Sequence, residues 1–325
     1  MHQADFVPLP FLRGPHLQTM AGWLTRKEIP IPGTTVVEVP LGDGDFTTAH
    51  IHSPSDHPGA LPTLILLHGL EADAGRAYMI RIARKAASLG VRTARMNMRC
   101  CGDAEGLSAK FYNGAQSKDV TAMARWLRER FPGSPIYLAG FSLGGNLVLK
   151  AAGEGEIEGL SGVVAVCPPL EPHRSARAIE HWSNGPYQAR FVISMVERVE
   201  RHQKRFPHGP RYNLSKRMTV AMFDAAFTVP HGGFESLDHY YEACSPKNLL
   251  SRIECPWLII TSMDDPIVPF ESFRGLEDSR SVLAPKHGGH LGFVGYGKPE
   301  DPDYRWAENR VVEFFARLTG EKGSS

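Results

Sequence analysis

Residues 136–146 read I-Y-L-A-G-F-S-L-G-G-N, and the fold class of the chain can be inferred from these eleven residues. Its first four residues have the apolar character of a short buried strand. The pattern G-x-S-x-G follows at 140–144, and an apolar helical pattern continues over 143–152. A serine on such a strand-to-helix turn, flanked by glycines where side chains would clash, is a nucleophile elbow. The stretch therefore predicts an α/β sheet with Ser142 exposed at the carboxyl end of a strand.

On both sides of residues 136–146, short apolar segments alternate with amphipathic helical patterns. The predicted strands lie at 35–40 and 47–52, as a hairpin, and at 63–67, 91–98, 136–139, 162–166, 256–261 and 281–284. The predicted helices cover 77–89, 115–130, 143–152 and 305–318. Such alternation favours a mostly parallel central sheet with helices on both faces.

The alternation is interrupted between residues 170 and 243. This stretch shows no buried strand, but it has helical spacing around 189–203 and 218–227 and phenylalanines at 191, 206, 223 and 227. It is too long for a bare loop, so we predict a helical insertion in a single domain that spans residues 1–325. Because open α/β sheets bind ligands beyond the carboxyl ends of their strands, we expect the insertion to cover the site as a lid. Its phenylalanines either line an apolar acyl pocket or, as is more common for aromatic residues in helices, belong to the core.

The composition is that of a soluble globular enzyme, with 42% hydrophobic residues, 22% charged residues and a net charge of +1. Nucleic-acid-binding proteins usually carry a basic excess, so no nucleic-acid partner is predicted. No apolar run approaches the about 18 residues of an integral membrane segment, and the N-terminus lacks a signal peptide. The five cysteines are scattered without a C-x-x-C pair, which favours a reducing, cytoplasmic location. The oligomeric state stays open.

A serine hydroxyl becomes a nucleophile when a base takes its proton and an acid orients that base. In chains with this elbow the order is serine, acid, histidine. Asp264 and Asp265 follow one predicted strand and are the candidate acids, whereas His287 and His290 follow the next. We assign His290 as the base, because the two glycines before it leave the loop free to place its ring over Ser142. His287 is the alternative.

An acyl-transfer oxyanion needs two backbone N–H donors. One is expected from Leu143, directly after the nucleophile, and the other from the turn H-G-L-E at 68–71. We assign Leu70 there, with Glu71 as the alternative. The H-x-x-H spacing at 287–290 also suits a metal pair, but no third ligand or H-E-x-x-H pattern accompanies it, so no metal is predicted. No dinucleotide or P-loop motif is present, so no cofactor is predicted.

Taken in order, the motifs resemble those of the YheT-like α/β-hydrolases, also called AB hydrolase family 4. The resemblance spans nearly the whole chain and rests on P-H-L-Q-T at 15–19, H-G-L-E at 68–71, N-M-R-C-C-G at 97–102, Y-N-G at 112–114, G-F-S-L-G-G-N at 140–146, D-D-P at 264–266 and G-G-H-L-G-F at 288–293. One departure is Cys100, where the family usually has glycine. P-H-L-Q-T is expected either to pack near the active site or to be purely structural.

The resemblance implies an α/β-hydrolase fold with Ser142, Asp265 and His290 as the charge relay. The stretch D-P-I-V-P from 265 resembles the one that follows the acid in many α/β-hydrolases, which favours Asp265 over Asp264. The family includes short- and medium-chain esterases, phospholipases and ester-forming acyltransferases. We therefore predict a carboxylesterase acting on small-molecule acyl esters. The alternatives are an acyltransferase that uses the same acyl-enzyme and a non-catalytic ligand-binding protein of the same fold.

Overall fold

The structure is a computed structural model that describes residues 5–24, 28–54, 60–276, 279 and 281–320. The prediction of one domain over 1–325 extends beyond these residues and stays a prediction. Every cysteine lies in the described part of the chain, and all five are free thiols. Of the helices described, none has both the length and the hydropathy needed to cross a bilayer.

An eight-stranded sheet forms the centre of the described chain, in the order β2-β3-β5-β4-β6-β7-β8-β9. Strand β3 runs antiparallel to β2 and β5, and the remaining neighbours are parallel, which confirms the mostly parallel sheet. Strands β1 and β10 form a separate antiparallel pair. The strands are β1 (Val7–Pro8), β2 (Thr35–Pro40), β3 (Phe46–His52), β4 (Thr63–Leu67), β5 (Arg92–Met96), β6 (Ile136–Phe141), β7 (Leu160–Val166), β8 (Trp257–Ile260), β9 (Val282–Leu283) and β10 (Gly295–Tyr296).

The predicted helices are all present, with bounds shifted by a few residues. The helices are α1 (Pro15–Trp23), α2 (Ala77–Ala87), α3 (Lys118–Arg130), α4 (Leu143–Glu154), α5 (Pro172–Ile179), α6 (Gly185–Arg205), α7 (Val220–Phe223), α8 (Val229–Gly232), α9 (Leu237–Cys244) and α10 (Trp306–Thr319). Helix α1 was not predicted. It buries the polar side chains of Gln18 and Thr19 and leaves Leu17 and Met20 about half exposed, so it shows no amphipathic pattern.

Two apolar layers, one on each face of the sheet, explain why the central strands read as continuous apolar runs. In β4, Ile65 and Leu67 pack in the layer that includes α3 and α4. The alternating residues Leu64 and Leu66 pack in the other layer, with α2 and α10. Helices therefore cover both faces, and the carboxyl ends of the parallel strands meet at one edge.

Helices α5 to α9 lie between β7 and β8 in the chain, and we call this segment the insertion. That it acts as a lid stays a prediction. Helix α6 includes the predicted helical segment at 189–203. The second predicted segment, at 218–227, differs, because α7 ends at Phe223 and the chain continues as a π-helical turn, Asp224–Thr228. Thr228 Oγ1 donates a 2.7 Å hydrogen bond to Asp224 Oδ1 across this turn. A side-chain bond of this kind leaves no trace in hydrophobic spacing.

Candidate active site

Ser142 lies on the turn between β6 and α4, with φ 53° and ψ −120°. This backbone conformation is strained for a residue with a side chain, and such strain concentrates at functional sites. A Cβ atom added at Gly140 would lie 2.1 Å from the carbonyl oxygen of Gly144, and one at Gly144 would lie 2.3 Å from that of His68. Both glycines of the motif are therefore required by main-chain contacts that hold the serine at the N-terminus of α4.

The side chains of Ser142, His290 and Asp265 form one chain of hydrogen bonds. Ser142 Oγ lies 2.9 Å from His290 Nε2, and His290 Nδ1 lies 2.8 Å from Asp265 Oδ2. Asp265 Oδ1 accepts from the backbone amides of Ile267 and Val268 at 2.8 and 2.9 Å. A carboxylate held in this way favours the imidazole tautomer with the proton on Nδ1, which leaves Nε2 free to accept the serine proton.

Asp264 and His287, the alternatives in the sequence, pair with each other instead. Asp264 Oδ2 lies 3.2 Å from His287 Nδ1, and Asp264 Oδ1 accepts from the backbone amide of Gly289 at 2.9 Å. The His287 side chain is 48% exposed, whereas that of His290 is 3% exposed. The structure thus brings His290 and Asp265 to the serine and leaves the other pair at the surface.

Helix α1, which begins with the P-H-L-Q-T stretch, packs against the loop that holds His290. Thr19 Oγ1 accepts from the His290 backbone amide at 2.9 Å. The buried Gln18 side chain donates to the carbonyl oxygen of Val294 at 3.0 Å and accepts from its amide at 2.8 Å. A Cβ atom at Gly292 would lie 2.3 Å from the Gln18 carbonyl oxygen. The stretch therefore supports the main chain at His290 and in the residues that follow it.

Cys167, which the sequence analysis did not single out, lies behind the relay. Its Sγ atom and the ligand atoms of Asp265 and His290 are all within 4.8 Å of one another. Burial, and after it the charge of Asp265, raises the pKa of the Cys167 thiol well above its usual value. Both ring nitrogens of His290 are engaged, with Asp265 and with Ser142, so the structure accounts for this cluster as part of the hydrogen-bonded relay.

The turn after β4 is held by a buried histidine. His68 Nε2 accepts from the amide of Met98 at 3.0 Å, so the proton lies on Nδ1, which donates to the carbonyl oxygen of Gly69 at 2.8 Å. Burial lowers the pKa of His68 to about 4, and the ring is therefore neutral at pH 7. His68 thus has a structural role in the turn. The Gly69 amide donates to the hydroxyl of Tyr78 at 3.2 Å.

The two assigned oxyanion donors lie beside Ser142. Leu70 and Leu143 both border the cavity into which Ser142 opens. Within the described chain, the backbone amides of Leu70, Glu71 and Leu143 donate no hydrogen bond. They are therefore available to a ligand oxygen, and Glu71 stays the alternative to Leu70.

The side chain of Glu71 points away from this oxyanion turn and binds the insertion. Its carboxylate lies 3.1 Å from Arg198 Nε and accepts from the Tyr112 hydroxyl at 2.5 Å and from the Ser194 hydroxyl. Arg198 also donates to the carbonyl oxygen of Cys100 at 2.6 Å. These contacts tie α6 to the turn that carries the candidate oxyanion donors. Sequence reasoning could not identify them, because 127 residues separate Arg198 from Glu71.

Two spaces meet at Ser142. One is a mostly apolar cavity of about 130 Å³ under the insertion, which Phe191 and Phe223 help to line. Phe206 and Phe227 line a different pocket. The other space at Ser142 is a wider, more polar groove of about 940 Å³ that reaches His290. An apolar acyl chain fits the first space, and water or an alcohol has access through the second.

Comparisons with known proteins match this architecture. A family model described as the alpha/beta hydrolase fold matches residues 62–295. The chain is 28% identical to the candidate esterase YheT of Escherichia coli (strain K12), over 96% of this chain and 93% of that one. It is 25% identical to the monoacylglycerol lipase of Saccharomyces cerevisiae, over 78% of this chain and 61% of the lipase. Among solved structures, the ferulic-acid complex of Est1E from Butyrivibrio proteoclasticus has a similar fold, with a TM-score of 0.57 and 15% identity over 87% of this chain and 99% of that one.

Proposed function

This chain belongs to the α/β-hydrolase fold family, among its YheT-like esterases and lipases, and on that premise we propose that it is a serine carboxylesterase. The proposal names Ser142 as the nucleophile, His290 as the general base and Asp265 as the acid that orients it. The observation that carries it is the hydrogen-bonded chain from Asp265 through His290 to a serine on a strained elbow. The same contacts argue against a non-catalytic binding protein, because binding alone needs no oriented base.

In the proposed mechanism, Ser142 Oγ attacks the acyl carbonyl carbon while His290 Nε2 accepts the hydroxyl proton. The Leu143 and Leu70 amides donate to the oxyanion that develops. His290 then protonates the leaving alcohol, and an acyl-enzyme remains. His290 next activates a water molecule, which attacks the acyl carbonyl and releases the acid and the free serine. Asp265 stays ionised and stabilises the imidazolium in both halves of the reaction.

The proposed substrates are small-molecule esters with short or medium acyl chains. The apolar cavity beside Ser142 supports an apolar acyl group, and its volume of about 130 Å³ supports a limited chain length. The esterase and monoacylglycerol lipase among the relatives support an ester bond as the target. The wider groove on the other side of Ser142 gives water access to the acyl-enzyme, which supports hydrolysis over acyl transfer.

A fluorophosphonate probe tests the nucleophile. We expect wild-type protein to be labelled and Ser142→Ala to be unlabelled, with the same circular dichroism spectrum. Ser215→Ala, a change at an exposed serine of the insertion, is the matched control and should label normally. Equal labelling of Ser142→Ala and wild type would show that another residue is the nucleophile.

Two further assays define the reaction. A series of p-nitrophenyl esters from acetate to palmitate should give the highest kcat/KM at a short or medium chain length. Product analysis in the presence of ethanol separates hydrolysis from transfer, and we expect free acid as the main product. Ethyl ester as the main product would replace the hydrolase proposal with the acyltransferase.

A further inference from the structure

The apolar cavity at Ser142 has a carboxyl group in its wall. Asp224, on the π-helical turn, borders the same cavity as Ser142. Its neighbours in that wall include the buried apolar side chains of Ile179, Phe223 and Ile267. An acidic side chain is an unusual element of an apolar acyl site, because burial of a charge is unfavourable.

Asp224 has hydrogen-bond donors but no cationic partner among the described residues. Thr228 Oγ1 donates to Oδ1 at 2.7 Å, and the Tyr241 hydroxyl donates to Oδ2 at 3.1 Å. Burial raises the pKa of Asp224 to about 6, so the group is still mainly ionised at pH 7. A carboxylate has about four acceptor positions, and two are used here. The two bonds engage one acceptor position on each carboxylate oxygen, so a second position on each oxygen is left over for a donor in the cavity.

A second polar group faces the same cavity without a partner. Ser175, on α5, also lines the cavity, and its Oγ atom is buried and makes no hydrogen bond in the described chain. Helix α5 contacts both α7, which leads into Asp224, and α9, which carries Tyr241. The insertion therefore brings a carboxylate with spare acceptor positions and an unpartnered hydroxyl to one mostly apolar cavity.

We propose that this cavity selects acyl groups that carry a hydroxyl on the chain, and that Asp224 is the specificity-determining residue. The inference rests on the proposed function, since the acyl group occupies this cavity only if Ser142 is the nucleophile. The substrate hydroxyl donates to a free acceptor position of Asp224, and its oxygen accepts from Ser175. A plain alkyl chain leaves both groups unsatisfied. An ammonium group could also donate to the carboxylate and to Ser175 Oγ, but it leaves the Ser175 O–H without an acceptor and must itself be desolvated, so the hydroxyl matches the pair better.

Matched esters test the proposal. The probes are p-nitrophenyl esters of hexanoic and octanoic acids, their 6-hydroxy and 8-hydroxy counterparts, and 6-aminohexanoic acid. The readout is the ratio of kcat/KM for a hydroxyacyl ester to that for the plain ester of equal length. In wild type we expect a ratio of about 10 or more for one length, as one hydrogen bond to a charged group supplies. In Asp224→Asn the ratio should fall about tenfold.

Two further variants keep the test valid. Ser175→Ala should lower the ratio by a smaller factor, and it carries the test if Asp224→Asn does not fold. Met195→Leu, which alters the same cavity without changing its polarity, should affect both esters alike.

The possible results are distinct. A wild-type ratio near one for both lengths overturns the inference, and so does an unchanged ratio in Asp224→Asn. A preference for the amino ester over the hydroxy ester overturns the hydroxyl assignment. The proposed esterase function fails separately, if no ester of the series is hydrolysed in a Ser142-dependent manner.

Discussion

Replacement of Asp265 by asparagine tests the relay at its far end. The two backbone amides of Ile267 and Val268 donate to Oδ1 of Asp265, and they will retain an oxygen at that position in the variant. The new side-chain nitrogen then faces His290 Nδ1, where Oδ2 now lies at 2.8 Å. An N–H group there selects the tautomer with the proton on Nε2, and that nitrogen can no longer accept the proton of Ser142.

The expected loss of kcat is large while the change in stability is small. The same substitution in a serine-protease triad lowers kcat about 10,000-fold, and we expect about 1,000- to 10,000-fold here. That range corresponds to about 4 to 5.5 kcal/mol in activation free energy. The assay is kcat for a p-nitrophenyl ester in the wild type and the variant, with urea unfolding as the check on the fold.

Asp264→Asn is the matched control, because Asp264 is the neighbouring carboxylate in the sequence. Its hydrogen bonds go to His287 and to the amide of Gly289, not to the ring of His290. We expect a loss of less than about tenfold, since a change away from the relay leaves the tautomer of His290 intact. An equal or greater loss in Asp264→Asn would refute the assignment of Asp265 as the acid.

Three other predictions follow from main-chain contacts and from burial. Gly144→Ala would place a Cβ atom 2.3 Å from the His68 carbonyl oxygen, so we expect thermal unfolding to show a decrease of more than about 3 kcal/mol in the free energy of unfolding. Gly185→Ala is the control, because Gly185 has open space around it and a helical φ. This change should be neutral or should stabilise the protein by up to about 1 kcal/mol. Thr19→Val leaves the buried amide of His290 without an acceptor, so urea unfolding should show a decrease of about 1–3 kcal/mol in the free energy of unfolding, and kcat should fall. An unchanged kcat would show that this contact does not help to position the catalytic base. His68 binds a proton near pH 6.5 when unfolded but near pH 4 when folded, so stability should fall as the pH drops from 6.5 to 4, by up to about 3 kcal/mol. Urea titrations across that range should show a smaller fall in His68→Gln, and parallel curves would contradict the neutral histidine.

The parts of the fold that the sequence predicts well are those with a local signal. Strand β4 is apolar throughout because both of its faces are buried, and its length marks it as a strand. The elbow at Ser142 is readable because main-chain contacts require glycine on both sides of it. His290 follows from chain order, since a loop after a strand end can reach the sheet edge where Ser142 lies.

The parts that the sequence did not predict depend on polar contacts between distant segments. Helix α1 is positioned by Gln18 and by Thr19, which bind main-chain groups near residues 290 and 294. The bond from Tyr241 to Asp224 and the ion pair of Glu71 with Arg198 likewise join segments that no periodic pattern connects. Hydrophobic spacing reports which face of an element is buried, but it does not identify the partner of a polar side chain.

The residues proposed for the chemistry and those proposed for substrate specificity lie in different parts of the fold. The relay lies at the sheet edge, where glycines at main-chain contact distance and the buried side chain of Gln18 fix the backbone. Much of the acyl cavity is instead lined by the insertion, including Ser175 on α5 and Asp224 after α7. The elbow motif thus supports the proposed reaction type, but it carries no information on the acyl group. Substrate class in this chain has to be inferred from the insertion, and there the buried carboxylate of Asp224 is the most specific feature.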